Sequence, residues 1–173
     1  MNVTACDVPA GSALKADLKG PVDFSDAWRA PLRREGLAMP EIFFAILSHR
    51  PVWMSWALIL RNVAARAIGL EAPTFREIMQ PEQRGAYKIG DKIGPWPIFH
   101  LSENELVAGR NNAHMDFRMS LLREGKGAER RVTLSTACLV HNGFGRCYLS
   151  AVIPFHRFGV RKLMSRAVAA QRI

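Results

Sequence analysis

The chain has 173 residues, of which 49% are hydrophobic and 23% charged, a composition typical of a globular domain. Intrinsic disorder, a collagen-like repeat and a disulfide-stapled miniprotein are therefore excluded. The formal net charge of +9 is the unusual quantity. It lies almost wholly in the second half, where residues 87–173 carry fourteen basic and six acidic side chains, against ten and nine in residues 1–86.

Such a basic half is compatible with nucleic acid, an anionic membrane surface or an anionic ligand. Its densest stretches are only pairs, Arg130-Arg131 and Arg161-Lys162, and no nucleic-acid-binding signature accompanies them. We therefore expect no nucleic-acid partner. Cys6, Cys138 and Cys147 form an odd set without CxxC spacing, so neither a metal site nor a disulfide framework is expected.

No targeting or cofactor motif is found. Residues 1–11 lack the pattern of a signal peptide, and the most apolar stretch, residues 42–60, is interrupted by His49-Arg50-Pro51. The sequence lacks GxGxxG, P-loop and GxSxG motifs. We expect a cytoplasmic protein with no cofactor.

In chain order, residues 1–20 are expected to be loosely ordered and residues 21–173 to form one domain. Residues 24–32 are predicted as a strand, residues 41–48 as a short helix, and residues 52–68 as a second helix that ends at Gly69. The second helix has an apolar stripe that we expect to be buried in its first half: Trp53, Trp56, Ala57, Leu60, Val63, Ala64 and Ala67.

After a long connection over residues 71–96, the hydrophobic period changes to two. This change predicts five successive strands at residues 98–102, 105–109, 113–123, 129–141 and 146–153. Short turns between them indicate an antiparallel meander, and Pro154 is expected to end the last strand. A final helix over residues 155–171 has its apolar stripe at Val160, Leu163, Met164, Ala167 and Val168.

The predicted order is strand, two helices, five strands, helix, which places the chain in the α+β class. It is the order of the helix-grip fold, in which a curved antiparallel sheet wraps a C-terminal helix and leaves a cavity between them. A cystatin-like or other helix-on-sheet layout is the alternative.

Several stretches resemble a bacterial family, the domain of unknown function 2867 (DUF2867). They are residues 23–29, 89–97, 114–120, 142–146 with 148–149, and 154–157. The resemblance implies membership of the START/Bet v 1-like helix-grip (SRPBCC) group, and with it a pocket but no established activity. In this chain Asn111-Asn112 stand where the family often has acidic residues.

Alternation in the predicted strands indicates the wall of a cavity. One face of strand 113–123 carries Met and Phe, and the next two strands add small, polar and apolar side chains to it. Three tryptophans and a methionine of the final helix are expected to close the site. The expected ligand-binding residues are Met115, Phe117, Met119, Thr136, Cys138, Leu149, Met164, Trp28, Trp56 and Trp96. A plain filled core is the alternative.

Two polar groups accompany this wall. His114, Asp116 and Arg118 lie on the other face of the strand, where we expect a solvated charge ladder. They become acid–base candidates if the sheet is inverted. Arg146 and Tyr148, with His141 and Asn142, lie at the predicted last hairpin, where Arg146 is a candidate anchor for an anionic group. Turn chemistry at Asn142-Gly143 and Gly145 is the alternative.

The length of the turn in this predicted hairpin determines whether two cysteines can form a disulfide. A two-residue turn at Asn142-Gly143 brings Cys138 opposite Cys147, which permits a reversible disulfide. A longer loop moves them out of register and leaves reduced thiols.

Three functions follow from these patterns. The leading one is binding of a hydrophobic or amphipathic small molecule between the sheet and the final helix. The second is an enzyme of the cyclase, dehydratase or hydrolase kind that uses acid–base residues in the same cavity. The third is a membrane-surface or chaperone-like adaptor that uses the basic final helix.

Overall fold

The computed structural model describes residues 3–67 and 84–173, without the side chains of residues 57, 61 and 64–67. In this part of the chain, helices cover one face of a seven-stranded antiparallel sheet. The strands are β1 (Thr4–Cys6), β2 (Phe24–Pro31), β3 (Lys92–Ile93), β4 (Trp96–Leu101), β5 (Glu105–Asn111), β6 (Met115–Glu124) and β7 (Arg131–Val140). The α-helices are α1 (Met39–Leu47), α2 (Val52–Ala67) and α3 (Gly143–Ala169).

The strands are ordered β1-β2-β7-β6-β5-β4-β3 in the sheet. Strands β4 to β7 form the antiparallel meander that the alternating sequence predicts. β2 joins the other edge of this meander and pairs along its whole length with β7, from Phe24 opposite Cys138 to Pro31 opposite Arg131. Side chains from the N-terminal and C-terminal parts of the chain therefore stand next to each other on the sheet.

The fifth strand predicted for the second half, residues 146–153, is wrong, because these residues form the first turns of α3. The side-chain oxygen Oδ1 of Asn142 accepts a hydrogen bond of 2.9 Å from the backbone N–H of Gly145. Asn142 therefore caps a helix instead of forming a hairpin turn. Pro154 lies inside the helix and does not end a strand.

The physical reason for this difference is a pattern that satisfies two periods at once. Leu149 and Ile153 fit an alternating strand, but they also lie four residues apart and continue through His156, Val160 and Leu163 at helical spacing. In the structure this stripe faces the sheet, while Cys147 and Ala151, which the alternation assigned to the same face, are exposed.

The main core lies between α1, α3 and the face of the sheet that they cover, which we call the inner face. Met119 and Leu121 of β6 pack there with Leu163 and Met164 of α3, as the alternation predicts. Ile42 and Ile46 of α1 are fully buried in the same cluster. α1 and α3 thus provide the apolar cover that the inner face requires.

The N-terminal segment, expected to be loosely ordered, adds β1 to the sheet edge and lies across the outer face of the sheet. The side chain of Leu14 is buried in a short 3-10 helix, Ala13–Lys15. The buried carboxylate of Glu105 holds this segment by accepting hydrogen bonds from the Ser12 hydroxyl and, at 2.9 Å, from the Ala13 N–H. The Ser120 hydroxyl donates to the same carboxylate.

Helix α2 differs from the sequence prediction in its orientation. Met54 and Ser55 are buried, but the stripe that was expected in the core is exposed where its side chains are described: Trp53, Trp56, Leu60 and Val63. The predicted end of this helix at Ile68-Gly69, and residues 71–83 of the connection that follows, lie outside the described residues.

Among the described residues no single helix has both the length and the apolar composition to cross a membrane. Met39–Leu47 and Val52–Leu60 pass that test only when taken together, and the two are bent by 96° relative to each other.

We predict that Gly145→Ala destabilises the protein because the first turn of α3 lies directly against the backbone of His114 at this position. A Cβ added there would overlap the backbone carbonyl oxygen of His114. The expected loss in the free energy of unfolding is about 1–3 kcal/mol, measured by urea denaturation. Gly143→Ala, in the same turn but with no atom within 4 Å of the added Cβ, is the control and should change the free energy by at most about 1 kcal/mol. Equal effects of the two substitutions would contradict this contact.

Candidate functional site

A small group of polar side chains lies on the inner face of the sheet, between two apolar clusters. On one side is the main core. On the other is a second apolar cluster formed by Phe24, Met115, Cys138 and Leu149. The polar group between them, which we call the polar layer, comprises Asp26, Trp28, Thr136 and His156.

Strand pairing brings the polar layer together. Asp26 of β2 is directly opposite Thr136 of β7, and Trp28 follows two residues later on the same face as Asp26. His156 reaches this layer from α3, where it belongs to the stripe that faces the sheet. Its Nε2 atom lies 3.3 Å from Oδ1 of Asp26. The ring of His156 also makes an edge contact with Phe24, at 5.9 Å between centroids.

Three buried atoms of the polar layer have no hydrogen-bond partner in the described part of the chain. They are Oδ2 of Asp26, Nε1 of Trp28 and Oγ1 of Thr136. A buried polar group without a partner costs about 1–3 kcal/mol, so three on one patch are a substantial cost. Native structures usually satisfy such groups with water or a ligand.

The three atoms differ in their hydrogen-bonding roles. The carboxylate oxygen of Asp26 accepts, the indole N–H of Trp28 donates, and the hydroxyl of Thr136 does either. A hydroxyl group complements this set because it donates to Asp26 while it accepts from Trp28 or Thr136. A water molecule has the same capacity.

The second apolar cluster forms the wall beside these atoms. Cys138 is buried, and its burial raises the pKa of the thiol to about 12, an effect to which Asp26 and Asp23 add. The thiol is therefore neutral and behaves as a small apolar side chain. The rim of the cluster is only partly buried and consists of Phe117, Val140, Tyr148 and Ile153.

The structure distributes the expected ligand-binding residues over four regions. Trp28 and Thr136 belong to the polar layer, while Met115, Phe117, Cys138, Tyr148 and Leu149 form the second apolar cluster and its rim. Met119 and Met164 are closely packed in the main core, and Trp96 lies at its edge. Trp56 and Arg146 are exposed on the outer sides of α2 and α3.

His114, Asp116 and Arg118 make different contacts in the structure. Oδ1 of Asp116 pairs with Nε2 of His141 at 3.1 Å, whereas the ring of His114 packs against Phe144 and Tyr148 of α3. Arg118 was expected on a solvated face but is 1% exposed.

Arg118 is buried because neighbouring segments cover the outer face. Its guanidinium lies 3.5 Å from the centre of the Phe99 ring and donates a hydrogen bond to the carbonyl oxygen of Phe117. Burial lowers the pKa of Arg118, while Asp116 and Asp17 oppose this shift. These contacts pack the guanidinium against the aromatic ring of Phe99.

Of the two alternatives for Cys138 and Cys147, the structure has the reduced thiols, because the hairpin that would bring them opposite each other is replaced by the start of α3. Both thiols are free, and Cys147 is exposed on α3 while Cys138 is buried on β7. Among the described residues no group of His, Cys, Asp and Glu has the arrangement of a metal site.

An open cavity of about 490 Å³ lies at the end of the sheet where β5 begins and β6 ends. Its lining is basic and polar: Gly36, Asn104, Arg123, Gly125, Lys126 and Arg130. Arg123 already donates to the carbonyl oxygens of Leu37 and Glu103, and Arg130 pairs with Glu35 at 3.3 Å. Because these contacts hold the surrounding loops, this cavity is a weaker candidate than the polar layer.

Asp26 and His156 were missed as site residues by sequence reasoning. Both lie in stretches that carry the family resemblance, 23–29 and 154–157, which was the available signal. The prediction of Thr136 as a polar side chain on an otherwise apolar wall is consistent with its position in the polar layer.

Comparison with known proteins identifies one family. A family model described as "Protein of unknown function (DUF2867)" matches residues 18–163, a span that includes all four residues of the polar layer. No curated protein matches the chain.

We predict that Thr136→Val stabilises the protein, because it removes a buried hydroxyl that has no partner while preserving the side-chain shape. The expected gain in the free energy of unfolding is about 1 kcal/mol, measured by urea denaturation without added compounds. The control is Thr133→Val on the same strand. The buried hydroxyl of Thr133 accepts a hydrogen bond from Arg29 Nε at 3.2 Å, so this substitution should destabilise by about 1 kcal/mol. The same sign for both variants would refute the assignment of partners.

We also predict that alkylation separates the two C-terminal cysteines. Iodoacetamide at mildly alkaline pH should modify Cys147 in the native protein and leave Cys138 intact, because thiolates are the reactive species and the buried Cys138 has a pKa of about 12. Mass spectrometry of tryptic peptides gives the ratio of Cys147 modification to Cys138 modification. The urea-unfolded protein serves as the control in which both sites react. Equal native modification, or a peptide joining the two cysteines, would contradict the structure.

Proposed function

The chain belongs to the DUF2867 family, whose function is unknown, and we propose that it binds a hydrophobic or amphipathic small molecule between the sheet and α3. The apolar part of the molecule lies against the second apolar cluster. Its polar group meets Asp26, Trp28 and Thr136. The antiparallel sheet with α3 on one face supports assignment of the fold to the helix-grip (SRPBCC) group, whose members hold ligands in this region.

The observation that carries the proposal is the set of three buried, unpartnered atoms on neighbouring positions of the inner face, within the described part of the chain. A single such atom is an ordinary imperfection of a fold. Three on neighbouring positions beside an apolar cluster have the chemistry of a binding site, in which a few polar groups orient a largely apolar ligand.

The chemistry of the three atoms narrows the ligand class. Asp26 Oδ2 requires a donor and Trp28 Nε1 requires an acceptor, so a hydroxyl group on an apolar body satisfies both. The neutral Cys138 and the aromatic ring of Phe24 favour an aliphatic or aromatic body next to that hydroxyl. We therefore place alcohols and phenols with an apolar skeleton first among the candidates.

Access to the site runs past the first half of α3. Residues 143–153 cover the second apolar cluster through Leu149 and Ile153. Pro154 has no N–H, so the helix lacks one hydrogen bond to the carbonyl oxygen of Ser150 at this point. The helix therefore bends most easily at the junction between the part that covers the cluster and the part that is packed in the main core.

An enzyme is the second candidate, and the contact between Asp26 and His156 favours it. A carboxylate 3.3 Å from an imidazole nitrogen orients the ring, and the second carboxylate oxygen is buried without a partner among the described residues. This pair has the arrangement needed to take a proton from a bound hydroxyl group and return it elsewhere. It replaces His114, Asp116 and Arg118 as the acid–base candidate.

We predict that Thr136→Val and Trp28→Phe each weaken the binding of an apolar alcohol or phenol about tenfold, the effect of losing one buried hydrogen bond. Native mass spectrometry of the purified protein and a thermal-shift panel of such compounds identify a binder. Isothermal titration then gives the dissociation constants. The control is Ser135→Ala, which removes a buried, unpartnered hydroxyl from the outer face of the same strand and should leave binding unchanged.

The outcomes of this experiment distinguish the candidates. No binder in the panel and no copurified compound would overturn the proposal, since water then suffices for the polar layer. If Thr136→Val and Trp28→Phe leave the dissociation constant unchanged, the ligand binds outside the polar layer. A bound compound that wild-type protein converts and the His156→Gln variant binds without converting would favour the enzyme.

A further inference from the structure

The exposed sides of α2 and α3 form one continuous surface that the proposed ligand site does not use. The two helices are neighbours: the terminal methyl of Met54 lies 3.6 Å from the position of a Cβ on Gly159. The rings of Trp53 and Phe158 are 6.2 Å apart. We call this surface the aromatic–basic surface and define it by Trp53, Trp56, Phe155, Phe158, Arg161 and Lys162.

Large aromatic side chains are unusually exposed on this surface. Trp53 and Trp56 are 52% and 60% exposed, and Phe155 and Phe158 are 78% and 58% exposed. Leu60 and Val63 continue the stripe along α2. Single exposed apolar residues are ordinary, but a contiguous group on two packed helices marks a surface that contacts something apolar.

The charge on the same surface has one sign. α3 contains five basic residues and no Asp or Glu, and the sequence of α2 also lacks acidic residues. Lys162 follows Phe158 by four residues and Phe155 by seven, so the three lie on one side of α3. Lys162 and Arg161 are exposed, as are the rings beside them. Cationic and aromatic groups are therefore intermixed and not segregated.

We propose that the aromatic–basic surface docks on an anionic lipid membrane, with its aromatic side chains in the interfacial region and its cations on the lipid headgroups. Tryptophan is enriched at the membrane–water interface, and exposed lysine and arginine are attracted to anionic headgroups. The charge on the two helices complements anionic headgroups.

Charge also argues against a second copy of this chain as the occupant. In a two-fold symmetric contact the same patch meets itself, so the basic residues of both copies would be brought together with no acidic residue on either helix to pair with them. The membrane supplies the missing negative charge, and its acyl region accepts the rings that the fold leaves in water.

The test is sedimentation with vesicles of phosphatidylcholine alone and of phosphatidylcholine with about 30% phosphatidylglycerol. We expect cosedimentation with the anionic vesicles, a blue shift of tryptophan fluorescence on binding, and a loss of binding as salt is raised from about 0.05 M to about 0.5 M. Trp53→Ser with Trp56→Ser should abolish the blue shift. It should also lower the partition coefficient at least about tenfold, as should Arg161→Glu with Lys162→Glu.

The matched control is Lys15→Glu with Lys19→Glu, the same change in charge on exposed residues of the segment that crosses the outer face. It should retain at least half of the wild-type partition coefficient. Circular dichroism verifies that each variant is folded, which is expected because every changed side chain is exposed.

Three results would overturn the proposal. The first is absence of binding to anionic vesicles at low salt, and the second is binding that ignores the phosphatidylglycerol content. The third is a stable dimer in light scattering that Trp53→Ser with Trp56→Ser converts to monomer, because the surface would then be covered by a second copy. Thr136→Val should weaken ligand binding but leave vesicle binding unchanged. The two proposals can therefore fail independently.

Discussion

The packing of one long helix along the sheet is the constraint on which the rest of the structure depends. α3 has 27 residues, which span about 40 Å at 1.5 Å per residue. β6 and β7 have 10 residues each, which span about 33 Å. The helix is therefore long enough to cover the inner face from end to end, and its inward stripe decides what lies at each level of that face.

Because the stripe of α3 is not uniform, the space beneath it is divided. Leu149 covers the second apolar cluster, His156 contacts Asp26 at 3.3 Å, and Leu163 with Met164 closes the main core. A helix that began at residue 155, as the sequence suggested, would leave the second apolar cluster uncovered and the polar layer open to water. The early start of α3 is thus what makes three atoms of the polar layer both buried and unpartnered among the described residues.

Much of the fold was predictable because most of its strands and helices have an unambiguous hydrophobic period. The strict alternation of Met115, Phe117, Met119 and Leu121 gave the inner face of β6 correctly, and the predictions for β2 and α1 were also close. The strand prediction for residues 146–153 failed because Leu149 and Ile153 satisfy both a period of two and a helical repeat. An Asn followed by Gly also serves a hairpin turn and a helix cap equally well.

The site was harder to predict than the fold, because its key contacts are distant in sequence. Asp26 and His156 are 130 residues apart, and the register of β2 against β7 that brings Asp26 opposite Thr136 is not encoded in any local pattern. The stripe of α2 gave a related difficulty. A regular apolar stripe predicts a helix with one apolar side, but it does not determine whether that side meets the core, and in Trp53 and Trp56 it meets solvent.

The two proposals concern opposite faces of the same helix, α3. Its inward face carries His156, the α-helical member of the polar layer. Its outward face carries the exposed Phe155 and Phe158 within one turn of His156, and Arg161 and Lys162 within two turns. Pro154 lies between the part of α3 that covers the second apolar cluster and the part of α3 that is packed in the main core. Under the two proposals, α3 is both the helix that docks on the membrane and the helix that covers the ligand site, and a molecule with an apolar body and a hydroxyl group partitions into a membrane. The missing backbone hydrogen bond at Pro154 would then lie between the membrane and the polar layer.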